Sequence, residues 1–97
     1  MNKYRVMVID DEKIVGDMAK MSLEQEGYEV ETFLSAEPAL ARLKEEKVDV
    51  VVTDYKMKGI DGMEVLRTVK KLYPETKVIM ITAFANLDAA IAALRAE

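Results

Sequence analysis

The sequence predicts an α/β fold: an open, twisted, parallel sheet with helices on both faces. Short β-branched or apolar runs alternate with segments of helical period in the order β-α-β-α-β-α-β-α, with no linker, repeat or low-complexity segment between them. The first, third and fourth apolar runs are too continuous for a sheet with one face in water, so they read as strands covered on both sides. Alternation of this kind implies parallel strands joined by right-handed crossovers. With 97 residues, 51% hydrophobic and 33% charged, the chain is expected to be one soluble globular domain built round one core.

In chain order, the predicted strands are Tyr4 to Ile9, Tyr28 to Phe33, Val48 to Thr53 and Val78 to Thr82. Between them, Ile14, Met18, Met21 and Gln25 form one helical stripe and Ala36, Leu40 and Leu43 the next. Met63, Leu66, Val69 and Leu72 form a third, and a fourth helix is expected from Leu87 to the end. The punctuation agrees with these limits. Ser35 and Asn86 stand where N-caps belong, and Asp61 with Glu64 three residues on forms a capping pair. Gly27 closes the first helix and Pro74 lies just beyond the third.

Composition excludes several chemistries. Cysteine is absent, so there is no disulfide framework, thiolate metal site or cysteine nucleophile, which fits a reducing cytoplasm. Histidine is absent too, leaving carboxylates, hydroxyls and lysines to carry any chemistry. No apolar run approaches the ~20 residues that span a bilayer, and MNKYRV enters a strand at once, so no membrane role and a cytoplasmic location are expected. A net charge of -4 and a pI near 4.9 argue against direct nucleic-acid contact, which needs a clustered basic surface.

The first strand runs directly into three acids, Asp10, Asp11 and Glu12. Two carboxylates about 4 Å apart repel by roughly 4 kcal/mol at an effective dielectric of 20, so converging side chains would need a compensating cation. Taken alone, the doublet fits a solvated turn better than a cation site. Its position changes the weighing. In open parallel sheets, ligands sit beyond the carboxyl ends of the strands, where the strand order reverses. Asp10 and Asp11 end the first strand, Asp54 ends the third in VVVTDYKMKGIDG, and Thr82 ends the fourth in VIMITAFA. If the first and third strands are neighbours, these side chains gather around one crevice.

DDE after the first strand, D-x-x-M-x-x-x-D-G after the third (Asp54, Met57, Asp61, Gly62) and Thr82-Ala83 after the fourth together resemble the receiver domain of two-component response regulators, the CheY-like family. The similarity runs the length of the chain, and DYKMKGIDGMEVL looks closest to receivers of the nitrogen-regulatory NtrC class, hence transcription regulation. The resemblance implies a flavodoxin-like doubly wound sheet of strand order 2-1-3-4. It also implies a switch that takes a phosphoryl group from a sensor histidine kinase or phosphotransfer protein, not an enzyme acting on a metabolite. Asp54 would be the acceptor nucleophile. Asp10, Asp11, Asp54 and the Lys56 backbone carbonyl would hold Mg²⁺, a hard cation that prefers about six oxygens and keeps several waters. Thr82 would bond a phosphoryl oxygen and move inward when it arrives. Gly59 and Gly62 would give the loop behind Asp54 its backbone freedom. Partner choice would lie on the first helix, at Lys13, Met18 and Met21.

The chain departs from the family pattern twice. Lys58 stands where a proline usually follows the Met. After ALRAE the 97 residues carry no fifth strand with its aromatic and Lys-Pro, and no fifth helix, so residues 1–97 are expected to be a receiver domain cut short at its C-terminus. Lys56 and Lys58 are weak substitutes for that lysine, whose charge would assist transfer. A helix on a sheet buries on the order of 500 Å² of apolar surface, roughly 12 kcal/mol, so a lone 97-mer is expected to be marginal. Its fourth strand would then be an apolar edge inviting a second copy, a homodimer through that strand and the open sheet face. The alternative function is a phosphorylation-incompetent receiver serving as a dimerisation or docking module. A haloacid-dehalogenase-type phosphatase would need D-x-D-x-[TV] where this chain has DDEKI, and a flavodoxin would need hydroxyls and amides there.

Overall fold

The computed structural model describes residues 4–57 and 59–81. The elements are β1 (Arg5–Ile9), α1 (Lys13–Gln25), β2 (Glu29–Phe33), α2 (Ala36–Glu45), β3 (Val50–Asp54), α3 (Gly62–Leu72) and β4 (Lys77–Ile81). All pairings are parallel and the order is β2-β1-β3-β4, as expected. Thr82, Ala83, Asn86, Lys58 and the helix expected from Leu87 lie outside the described residues.

β1 sits between β2 and β3, with Val8 opposite Thr32 on one side and Val52 on the other. The chain leaves β1 in one direction to make β2 and then crosses to the other side to make β3. The carboxyl ends of β1 and β3 therefore flank the point where the winding reverses, and it is there that such sheets open a crevice.

Alternation along the strands feeds two cores. Val6, Val8, Val30, Val50, Val52 and Ile81 face α1, which answers with Val15, Ala19 and Leu23. Met7, Ile9 and Val51 face the other way, into Ala36, Ala39 and Leu43 of α2 and Val65 and Val69 of α3. At the amino end, the Tyr73 hydroxyl donates to the Leu43 carbonyl at 2.6 Å and Thr76 Oγ1 to the Val48 carbonyl at 2.7 Å, tying the loops after α2 and α3 together.

The helices are where expected but rotated. Ile14, Met18 and Met21 do not enter the core; they are 67%, 48% and 64% exposed, and Gln25 is exposed as well. The sheet instead receives Val15, Gly16, Ala19 and Leu23. This face carries the small Gly16 and Ala19 and packs on β2 without crowding, since a Cβ built on Gly16 would meet Thr32 at an ordinary 3.8 Å. In α3 the buried set is Gly62, Val65 and Val69, with Met63 and Leu66 half-buried and Leu72 exposed. In α2, Ala36 and Leu43 are buried as expected with Ala39 beside them, and Leu40 packs at the margin.

The punctuation holds at most positions. Asp61 Oδ1 accepts the Glu64 amide at 3.0 Å, and Gly27 takes a φ of +93° at the end of α1. Ser35 occupies the N-cap of α2 without a side-chain hydrogen bond. β3 begins at Val50 instead of Val48 and includes Asp54, while β4 begins one residue early at Lys77.

Candidate functional site

Three carboxylates converge at the carboxyl edge. Asp10 follows β1, Asp11 follows Asp10, and Asp54 is the last residue of β3; one oxygen from each lies within 4.8 Å of the others. Parallel pairing makes this convergence, since Ile9 is opposite Thr53 and the next residue of each strand is an aspartate. Neighbouring strands run about 4.8 Å apart, so two strand-end side chains there have no distance over which to separate.

Each acid has a different setting. Asp10 is 5% exposed. Its backbone amide donates to the Phe33 carbonyl at 3.0 Å, continuing the ladder, and its Oδ1 accepts the Glu12 amide at 2.8 Å. Burial pushes its carboxyl up to about 6; the Glu12 amide opposes the rise, and the charges of Asp54, Asp11 and Glu12 add to it. Asp54 is half-buried, and its carboxyl is also raised, first by burial and next by Asp11, against the backbone amides of Lys56 and Tyr55. Asp11 is exposed. Among the described residues, none of the ion pairs involves these three carboxylates.

The donor set fits a hard divalent cation. It consists of carboxylate oxygens alone, with mutual repulsion left uncompensated by any cationic side chain in those pairs, so a bound cation would relieve a cost already present in the folded chain. Lys56 lies two residues beyond Asp54 in the exposed turn, and its amide already faces the Asp54 carboxylate. Glu12, the third acid of the run, contributes its amide to Asp10 and its charge to both Asp10 and Asp54. Thr82 lies just past the described end of β4.

The loop behind Asp54 closes tightly. The Gly62 amide donates to the Tyr55 carbonyl at 2.8 Å, Met57 and Ile60 pack into the α2/α3 core, and Gly59 takes a φ of +82°. Backbone freedom is thus the role of Gly59, as expected. Gly62 has no positive φ, which corrects the reading of it from sequence: what matters there is the missing side chain. The exposed stripe of Ile14, Met18 and Met21 begins beside the acids, because α1 starts three residues after Asp10. Met18 and Met21, offered by the sequence as partner-choosing residues of the first helix, are exposed together with Ile14, and the face turned to the sheet is Val15, Gly16, Ala19 and Leu23.

Comparison with known proteins gives concordant results. Residues 6–97 match the family model described as the response regulator receiver domain. A receiver domain protein from Clostridium thermocellum is 39% identical, with 96% of this chain and 75% of that one aligned at a TM-score of 0.77. The BeF3-activated DrrB receiver domain is 25% identical and aligns over 98% of this chain and 97% of its own at 0.85. NtrX from Brucella abortus is 32% identical over 97% of this chain and 21% of its own, at 0.78.

Proposed function

We propose, since the chain belongs to the response regulator receiver domain family, that Asp54 accepts a phosphoryl group in two-component signalling. The observation that carries the proposal is the meeting of Asp10, Asp11 and Asp54 at the switch point of the sheet, with Asp54 on the last residue of a rigid strand. An Asp54 carboxylate oxygen forms the new bond to phosphorus. The bond from phosphorus to the donor's phosphohistidine nitrogen breaks, and its electron pair leaves with the imidazole. The product is an acyl phosphate that water later hydrolyses, so the chain acts as a timed switch and not as an enzyme on a separate substrate.

Asp10, Asp11 and Asp54, with the Lys56 carbonyl, would hold Mg²⁺, which supplies charge neutralisation for a phosphoryl group that bare carboxylates would repel. The chain's own residues do the rest. The Tyr55 and Lys56 amides hold the Asp54 carboxylate in place, and the Glu12 amide fixes one oxygen of Asp10. Thr82 keeps its proposed role as the hydroxyl that bonds a phosphoryl oxygen.

The donor is a sensor histidine kinase or phosphotransfer protein of the cytoplasm. Ile14, Met18 and Met21 offer it an apolar stripe flanked by the Lys13–Asp17 and Lys20–Glu24 ion pairs, beginning at the acidic rim. A stripe at i, i+4 and i+7 suits a partner helix laid alongside α1. Incubation with acetyl phosphate and Mg²⁺ tests the reading: one phosphoryl group is incorporated per chain, and Asp54→Asn abolishes it. No incorporation by the wild-type chain would leave the docking stripe as the function, that of a phosphorylation-incompetent module.

A further inference from the structure

We propose that Gly62 is a positioning residue for Asp54: the first residue of α3 rests against the Asp54–Tyr55 backbone, and only a residue without a side chain lets the acceptor keep its place. The inference rests on the reading of Asp54 as acceptor. A Cβ on Gly62 would lie 2.7 Å from the Asp54 carbonyl oxygen, 2.9 Å from Tyr55 Cα and 3.4 Å from the Asp54 carbonyl carbon. All of these are backbone atoms, so no rotamer relieves the overlap. Reaching ordinary contact, which begins at 3.4 Å, needs a shift of about 0.7 Å in one partner or the other.

Both partners are held. Asp54 pairs with Ile81 in the sheet, and the Tyr55 amide donates to the Ile81 carbonyl at 3.0 Å, so β4 grips this backbone on one side. On the other, Gly62 donates to the Tyr55 carbonyl at 2.8 Å, Asp61 caps α3 through the Glu64 amide, and Val65 and Val69 anchor the helix in the core without exposure. The Asp54 peptide is therefore clamped between β4 and the start of α3. An added methyl group must displace the carboxylate or lift the helix end, and either alters the direction from which Asp54 meets phosphorus.

In phosphoryl transfer from acetyl phosphate, an Asp54 oxygen bonds to phosphorus while the bond from phosphorus to the donor's bridging oxygen breaks, its electrons leaving with acetate. A misplacement near 1 Å can cost such a step about 100-fold. Gly62→Ala in the full 97-residue chain is expected to lower kcat with acetyl phosphate by about 10- to 100-fold with KM changed less than threefold. The Mg²⁺ dissociation constant, read from the amide resonances of Tyr55 and Lys56, should rise about tenfold. Leu23→Ala, in the opposite core, serves as the control for stability: at a similar loss of melting temperature it leaves kcat within twofold.

A folded Gly62→Ala protein with kcat and Mg²⁺ affinity both within twofold of wild type overturns the proposal. If that variant does not fold, Asp61→Ala decides, because it frees the first turn of α3 without adding an atom near Asp54. A three- to tenfold loss of kcat supports the clamp, and a wild-type rate overturns it. Should the wild-type chain take up no phosphate, the acceptor reading fails while the Mg²⁺ affinities of the two glycine-site proteins still decide the positioning. A wild-type chain that binds no Mg²⁺ overturns both.

Discussion

A single backbone amide shows how closely the acidic site is adjusted. Glu12 contributes its N–H to Asp10, yet burial still lifts that carboxyl from an ordinary 3.8 to about 6. The folded chain thus holds the Asp10 proton more tightly than the unfolded chain does. Stability from this group is full below about pH 4 and is lost as pH rises through about 6. At neutral pH and without a cation, the ionised site is a cost. Asp10→Asn should therefore stabilise the metal-free protein at pH 7 by on the order of 1–3 kcal/mol in denaturant titrations, while removing divalent-cation binding. The same proton competes with the cation. Mg²⁺ affinity should fall about tenfold per pH unit below 6 and level off above it, as calorimetric titrations from pH 5 to 7.5 would record.

At the scale of an element, α1 carries two apolar faces and uses them differently. Leu23, Ala19 and Val15 fill the space over β1 and β2, whereas Ile14, Met18 and Met21 stand in solvent. Leu23→Ala leaves a cavity in a close-packed layer and should cost about 3 kcal/mol in chemical denaturation. Met21→Ala should stay within about 0.5 kcal/mol, and its effect should fall on the rate of transfer from a histidine-kinase donor, not on transfer from acetyl phosphate. Equal losses of stability in the two variants would mean that α1 packs on the wrong face. Helix α3 makes the complementary point: its Val65 and Val69 hold down the helix start that bears on Asp54, so a core stripe has a consequence at the site.

For the whole molecule, site and fold are one system. The cost of three converging carboxylates is met by the strands and the two cores, and a ligand that binds only where they converge should stabilise the entire domain. With Mg²⁺ at 100 times its dissociation constant the gain is about 2.7 kcal/mol, which for a domain of this size raises the melting temperature by roughly 10–20 °C. Chelation should reverse the shift, and Asp10→Asn/Asp11→Asn should abolish it in differential scanning calorimetry. Among the described residues no helix is long and apolar enough to cross a membrane. β4 forms one end of the described sheet, and pairing of a second copy along it remains a proposal that light scattering tests.

The alternation of apolar runs and helical periods was sufficient, by itself, to determine a parallel α/β sheet, because continuous apolar strands demand cover on both faces. The D-D, D-x-x-M-x-x-x-D-G and T-A motifs added the family and pointed to Asp10, Asp11 and Asp54, whose carboxylates converge at the edge of the sheet. Those statements depend on residue type and spacing along the chain. Which side of α1 faces the sheet depends on which face fits over the strands in three dimensions, and there Val15, Gly16, Ala19 and Leu23 are buried while the bulkier Ile14, Met18 and Met21 stand in solvent. Likewise, that Gly62 matters for its missing Cβ and not for its φ is a fact of distance between chain segments, and only tertiary structure brings the start of α3 so near that a Cβ on Gly62 would lie 2.7 Å from the Asp54 carbonyl oxygen.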